Sequence, residues 1–144
     1  VGQSIANGLR EANIPHIVID DDPERVSEAK VSKHPRIYGD ATNINVLSKA
    51  DLSQATALVV AYPDPMAVIT TVKLAKLLNP DILILARASH RNDIDRLKRL
   101  GVVELVIPER EAGYKFVKIL LNVIGLERNE RRRLLALVRN VTTK

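Results

Sequence analysis

VGQSIANGLREANIPHIVIDDDPERV, positions 1–26, decides the fold. Its first part reads as a helix from about Val1 to Ala12, with Gly2 at the mouth. A hydrophobic strand, His16 to Ile19, follows and ends in three carboxylates, Asp20, Asp21 and Asp22. A glycine at a helix mouth, with an acid about 20 residues on at the tip of the next strand, is the second half of a dinucleotide-binding βαβ unit. The unpaired N–H groups of a first helical turn suit a phosphate. The carboxylate suits a ribose diol and repels a ribose 2′-phosphate, so the pattern favours NAD(H) or an adenosine nucleotide over NADP.

A complete unit of this kind has a strand and two more glycines ahead of Gly2. Val1 is not an initiator methionine, and the sequence reads as a fragment. The strand expected to be missing is the central one in the order 3-2-1-4-5-6. Strands lie about 4.8 Å apart, so its two neighbours would face each other across a gap of roughly 10 Å. Backbone groups along that gap need partners.

Downstream, strand and helix signals alternate. A helix is expected from Pro23 to about Lys30, a strand from Arg36 to Tyr38 ending at Gly39-Asp40-Ala41-Thr42, and a helix from about Ile44 to Ala50. Strand Ala57–Ala61, helix Met66–Leu78, strand Ile82–Ala86, helix Asn92–Leu100, strand Glu104–Ile107 and helix Ala112–Ile124 follow. ALVVA and ILILA are apolar at every position, as in a parallel sheet covered on both faces. The expectation is an α/β, Rossmann-like doubly wound parallel sheet over residues 1–125, lacking its first strand. Residues 126–144 form a tail whose helix, Glu127 to Asn140, carries apolar Leu134, Leu135, Leu137 and Val138.

Composition removes several classes. The 144 residues include no cysteine, so no disulfide, thiolate chemistry or cysteine metal site is expected. No apolar run approaches the ~20 residues of a membrane helix. One Phe, three Tyr and no Trp leave no stacking platform for single-stranded nucleic acid. Nucleic acid is therefore not an expected partner. The run Arg131-Arg132-Arg133 is interleaved with Glu127 and Glu130 and reads as a solvated face.

By YGDAT at positions 38–42, following an acid at the preceding strand tip, the chain resembles the TrkA-N domain, the nucleotide-binding part of the RCK domains that regulate potassium conductance. LARASHRNDIDRLKRLGV and VIPEREAG are similar to the cytoplasmic domain of Kef-type monovalent cation:proton antiporters. The resemblance implies a regulatory domain, dimeric or larger, on the cytoplasmic side of an inner-membrane channel or transporter. It implies NAD(H), AMP, ADP or ATP as ligand. It places the nucleotide on Gly2, Gln3, Asp20, Asp21, Asp40, Ala41, Thr42, Ala61 and Tyr62. Arg87, Glu109 and Arg110 take regulatory or inter-subunit positions. Asn7 and Ser32 stand where glutathione-binding relatives place an arginine and an aromatic, so glutathione gating is not expected. Tyr62-Pro63-Asp64-Pro65 and Val68 replace the family's acids and asparagine beyond the fourth strand.

Other arrangements read more plainly. Asp21 and Asp22 fit a solvated turn and a helix N-cap before Pro23, and Asp40 itself fits a cap for the next helix. Tyr114 and Lys118 have the Tyr-x-x-x-Lys spacing of short-chain dehydrogenases, but Gly101 occupies the zone of the serine that chemistry needs. His16, His34 and His90 lie on separate segments without a metal-pair spacing. No acid, base or nucleophile forms a catalytic constellation. The alternative to a regulatory module is a fragment of a NAD-dependent oxidoreductase.

Overall fold

A computed structural model describes residues 1–24 and 35–141. Helix α1 spans Gly2–Glu11, with Ile5, Ala6 and Leu9 on its less exposed stripe. It ends in a Schellman turn. Asn13 takes a left-handed φ of 55°, its N–H meets the Arg10 carbonyl at 3.0 Å, and the Ile14 N–H meets the Leu9 carbonyl at 2.9 Å. Pro23 and Glu24 are helical, and Asp22 caps them by accepting the Glu24 N–H at 3.0 Å. The rest of the helix expected to Lys30, with Ser32 and His34, lies outside the described residues.

Strands β1 (Val18–Asp20) and β2 (Arg36–Tyr38) pair in parallel, Asp20 opposite Tyr38. After α2 (Ile44–Ser48) come β3 (Ala57–Val60), α3 (Pro65–Leu78), β4 (Leu83–Arg87), α4 (Arg91–Arg99) and β5 (Glu104–Val106). The second sheet has the order β3-β4-β5, with β3 and β4 parallel. Among the described residues, no strand pair joins β1–β2 to β3–β4–β5.

Helix α3 carries the core. Asp64 caps it by accepting the Met66 N–H at 2.8 Å, and Pro65 fits the first turn, where an N–H is not needed. Val68, Ile69, Val72 and Ala75 recur at helical spacing and are buried with Val60, Ile84, Ala86 and Leu97. Along β4, Ile84 and Ala86 are buried while Leu83 stays 49% exposed, and Val59 on β3 is 43% exposed. Among the described residues, one face of β3 and β4 is thus the more deeply buried. Helix α3 packs on β3 and β4.

The chain divides into two compact units, Val1–Leu105 and Val106–Lys144. In the second, α5 (Pro108–Val123) packs on α6 (Arg128–Val141). Helix α5 begins four residues before the expected Ala112. Pro108 sits in its first turn with Glu109 and Glu111, which complement the helix dipole, so PERE is helix rather than loop. The Arg139 guanidinium lies 5.6 Å from the Tyr114 ring centre, and Arg131 donates a hydrogen bond to Asn122. No helix among the described residues is long and apolar enough to cross a membrane.

Candidate functional site

Parallel strands place their carboxyl ends together, and the turns beyond β1, β2 and β3 meet there. Asp20 closes β1. Its carboxylate accepts the Asp22 N–H at 3.1 Å, and its carbonyl accepts the Gly39 N–H at 3.1 Å. Gly39 has a φ of 146°, and a Cβ there would lie 2.9 Å and 3.0 Å from the two methyl carbons of Val46. Only glycine lets the turn after β2 run this close to α2.

Asp40 follows. Its two oxygens accept the Thr42 N–H at 2.8 Å and the Thr42 hydroxyl at 2.6 Å. The hydroxyl bond first, then the backbone bond, hold its carboxyl below the usual range. The cap of α2 is Asn43, whose side chain accepts the Asn45 N–H at 2.9 Å. Asp40 instead closes its own turn. Ala41, next to it, is 3% exposed.

Ala61 and Tyr62 leave the end of β3, both half-buried. The Tyr62 hydroxyl lies near the Ala41 backbone, and Asp40, Asp21 and Asp20 lie close enough to act on it electrostatically. Burial is the main reason that its pKa stands above the ordinary tyrosine value, and the three carboxylates push the same way. Asp20, Asp21, Asp40, Ala41, Thr42, Ala61 and Tyr62 are thus brought to one place from three turns. The Tyr62–Ala41 contact has no signature in the sequence, because it joins segments about 20 residues apart.

At the start of α1, the first backbone bond runs from the Ile5 N–H to the Val1 carbonyl at 3.2 Å. The N–H groups of Gly2, Gln3 and Ser4 precede it and have no acceptor within the helix. The first turn holds no acid. A Cβ at Gly2 would meet no atom within 4 Å, so the described chain itself makes no demand for glycine there. The Gln3 side chain donates to Asn7 at 3.1 Å. Arg87 is the last residue of β4. Glu109 and Arg110 lie in the first turn of α5, in the other compact unit.

Chemically, these groups are suited to binding. Carboxylates accept from hydroxyls, and helix N–H groups donate to anions. Among the described residues, no group of three or more His, Cys, Asp and Glu is placed to hold a metal. Tyr114 lies under Arg139. His90 starts α4, where its N–H donates to Asp93 at 3.2 Å.

Residues 1–108 match the family model of the TrkA-N domain. The chain is 35% identical over 126 residues to potassium channel protein 1 of Methanocaldococcus jannaschii, covering 85% of this chain and 37% of that protein. It is 30% identical over 146 aligned positions to the glutathione-regulated potassium-efflux system protein KefC of Salmonella arizonae, covering 99% of this chain and 23% of that protein. The chain thus spans well under half the length of these relatives. Its fold superimposes on the TrkA-N domain of the Escherichia coli inner membrane protein ybaL with a TM-score of 0.78 and 28% identity, covering 83% of this chain and 89% of that one. On the Kef CTD of Shewanella denitrificans in its AMP-bound form the TM-score is 0.85 at 23% identity, covering 97% and 86%. With three quarters of its length matched by the family model and a continuous relative across the rest, the chain belongs to the TrkA-N domain family.

Proposed function

We propose that this chain is the cytoplasmic nucleotide-binding regulatory part of a potassium channel or Kef-type monovalent cation:proton antiporter. The observation that carries the reading is the meeting of Asp20, Asp40, Ala41 and Tyr62 at the strand tips. An adenosine ribose would rest on Asp20, with Asp21 beside it. The adenine would lie against Asp40, Ala41 and Thr42, flanked by Ala61 and Tyr62. The phosphate would take the N–H groups of Gly2 and Gln3, where the space beside the Gly2 Cα is open. AMP, ADP, ATP and NAD(H) share these parts.

Occupancy acts by favouring one of two arrangements of a homodimer, which the membrane segment reads. A ligand moves that balance only through unequal affinity for the two arrangements. Arg87, Glu109 and Arg110 are the positions proposed to report between subunits. The relatives are named for transport, which supports the regulatory reading over the oxidoreductase alternative.

Calorimetry with AMP and NADH tests the reading. Uptake without turnover of carbonyl substrates is expected. Asp20→Ala should weaken AMP about tenfold to a hundredfold, the range of a hydrogen bond to a charged group. Full AMP affinity in Asp20→Ala would refute the proposed ribose contact.

A further inference from the structure

Residues 106–144 hold nine of the 22 Lys and Arg but four of the 17 Asp and Glu. The whole formal charge of +5 therefore belongs to the helical unit, and residues 1–105 are balanced. Within that unit, α6 holds five arginines against one acid, Glu130. Glu127 lies ahead of the helix, where its carbonyl accepts the Arg131 N–H at 2.9 Å. Packing on α5 sets which way α6 faces. Arg131, Leu134, Leu135 and Val138 recur at helical spacing and are its less exposed positions. Arg131 donates to Asn122, and the Arg139 guanidinium lies against Tyr114. The other face carries Asn129, Arg132, Arg133, Ala136 and Leu137, all exposed, with Arg128 along one edge and Glu130 along the other. Among the described residues, no hydrogen bond or ion pair engages the guanidinium of Arg128, Arg132 or Arg133. This arrangement works against the helix itself. Arg128 and Arg132 are like charges one turn apart, and cations near the start of a helix oppose its dipole. Helix stability alone would place acids there, and an anion outside the helix removes the conflict.

We propose that this face of α6 docks on anionic phospholipid, with the guanidiniums on the phosphates and Leu137 at the acyl boundary. A guanidinium meets a phosphate through two parallel N–H groups. Its long stem lies along apolar surface while the charged end stays wet. Leu137, 53% exposed and one turn from Arg133, discriminates among polyanions. A bilayer surface offers apolar depth beside its phosphates, whereas a nucleic-acid backbone or a run of carboxylates offers the charge alone. The proposal uses none of the strand-tip residues, and it holds whether or not that site takes a nucleotide.

The test is flotation of the full chain with two kinds of vesicle at low salt, phosphatidylcholine alone and equal parts of phosphatidylcholine and phosphatidylglycerol. Expected is uptake by the mixed vesicles only, lost as salt is raised. Each cation at an anionic surface carries a factor of about five, so Arg132→Gln combined with Arg133→Gln should weaken uptake about twentyfold. Glutamine matches arginine in helix propensity, so this variant keeps α6 folded. Leu137→Ser should weaken uptake by about fourfold or more, the worth of one buried methylene. No uptake by the mixed vesicles overturns the proposal, as does equal uptake by both kinds, which needs no cation. Undiminished uptake in the arginine variant places the contact elsewhere and overturns it too. Undiminished uptake in Leu137→Ser, or duplex DNA held as tightly as the mixed vesicles, makes the face a general anion site and overturns the lipid assignment. A chain that takes up no AMP yet floats with the mixed vesicles loses the nucleotide reading and keeps this one.

Discussion

Single residues at the strand tips have measurable consequences. Gly39 combines a φ of 146° with the Val46 methyl carbons 2.9 Å and 3.0 Å from where a Cβ would sit. Gly39→Ala should cost about 2–3 kcal/mol in denaturant unfolding, adding backbone strain to a steric clash. Part of the cost is steric, so it should shrink in a Val46→Ala background; strictly additive losses would mean that the clash is not the cause. Tyr62 sets a pH dependence. Its pKa is raised by burial first and by neighbouring carboxylates second. The folded state therefore holds the phenol proton to higher pH than the unfolded chain does. The stability this contributes is fully present below about pH 10, the unfolded value, and is lost as pH rises through the folded one. Unfolding midpoints followed from pH 8 to 11 should fall more steeply for the unaltered chain than for Tyr62→Phe. Parallel curves would remove the claim. Of these residue-scale features, the acid at position 20 was legible from its spacing to Gly2, whereas the Tyr62–Ala41 contact was not, since it depends on where three turns converge in space.

Elements were legible wherever a local signal stood close to the boundary. Asp64-Pro65 and Asp22-Pro23 announce their helices, because a capping carboxylate and a proline each act within one turn. The same chemistry at Pro108-Glu109-Arg110-Glu111 lies ahead of the helix expected from Ala112, and α5 is a full turn longer at its start. The run Arg36 to Tyr38 is apolar only at Ile37, yet it forms β2, because pairing with β1 rather than intrinsic pattern holds it. Helix α5 also carries the clearest unsatisfied surface. Phe116, Ile119, Leu120 and Val123, spaced as one helical stripe, are all exposed, with Phe116 at 75% and Val123 at 77%. Another stripe, Tyr114, Val117 and Leu121, is less exposed, and Tyr114 meets Arg139 of α6. An exposed apolar stripe of this kind suits a second copy of the same helix. A twofold interface uses each residue twice, and full burial of a phenylalanine is worth about 1.5–3 kcal/mol. Phe116→Glu should therefore weaken a homodimer by a hundredfold or more in sedimentation equilibrium. An undiminished dimer would place the interface elsewhere.

At the scale of the whole molecule, the proposed reading assigns binding and assembly to different sides of the division after Leu105. Gly2, Asp20, Asp40, Ala41 and Tyr62 all lie in the Val1–Leu105 unit, whereas the exposed stripe and the Glu109–Arg110 pair lie in the other. The first unit has a buried core of its own around Val68, Ile69, Val72, Ile84 and Leu97. The second is a helical pair in which, among the described residues, Leu121 is the buried apolar side chain. Binding and assembly should then separate on truncation. A chain ended after Ile107 keeps every residue proposed to touch the nucleotide and loses the stripe. Its AMP affinity should stay within about twofold of the full chain's, while any dimer dissociates to monomer. The comparison is informative in both directions, since a domain boundary crossed by few contacts usually leaves the larger part folded. A tenfold loss of AMP affinity in a truncated chain that still unfolds cooperatively would mean that Arg110 or its neighbours reach the ligand, directly or from a partner copy. The site would then be shared between units rather than contained in one, and the regulatory assignment of Glu109 and Arg110 would become a binding one.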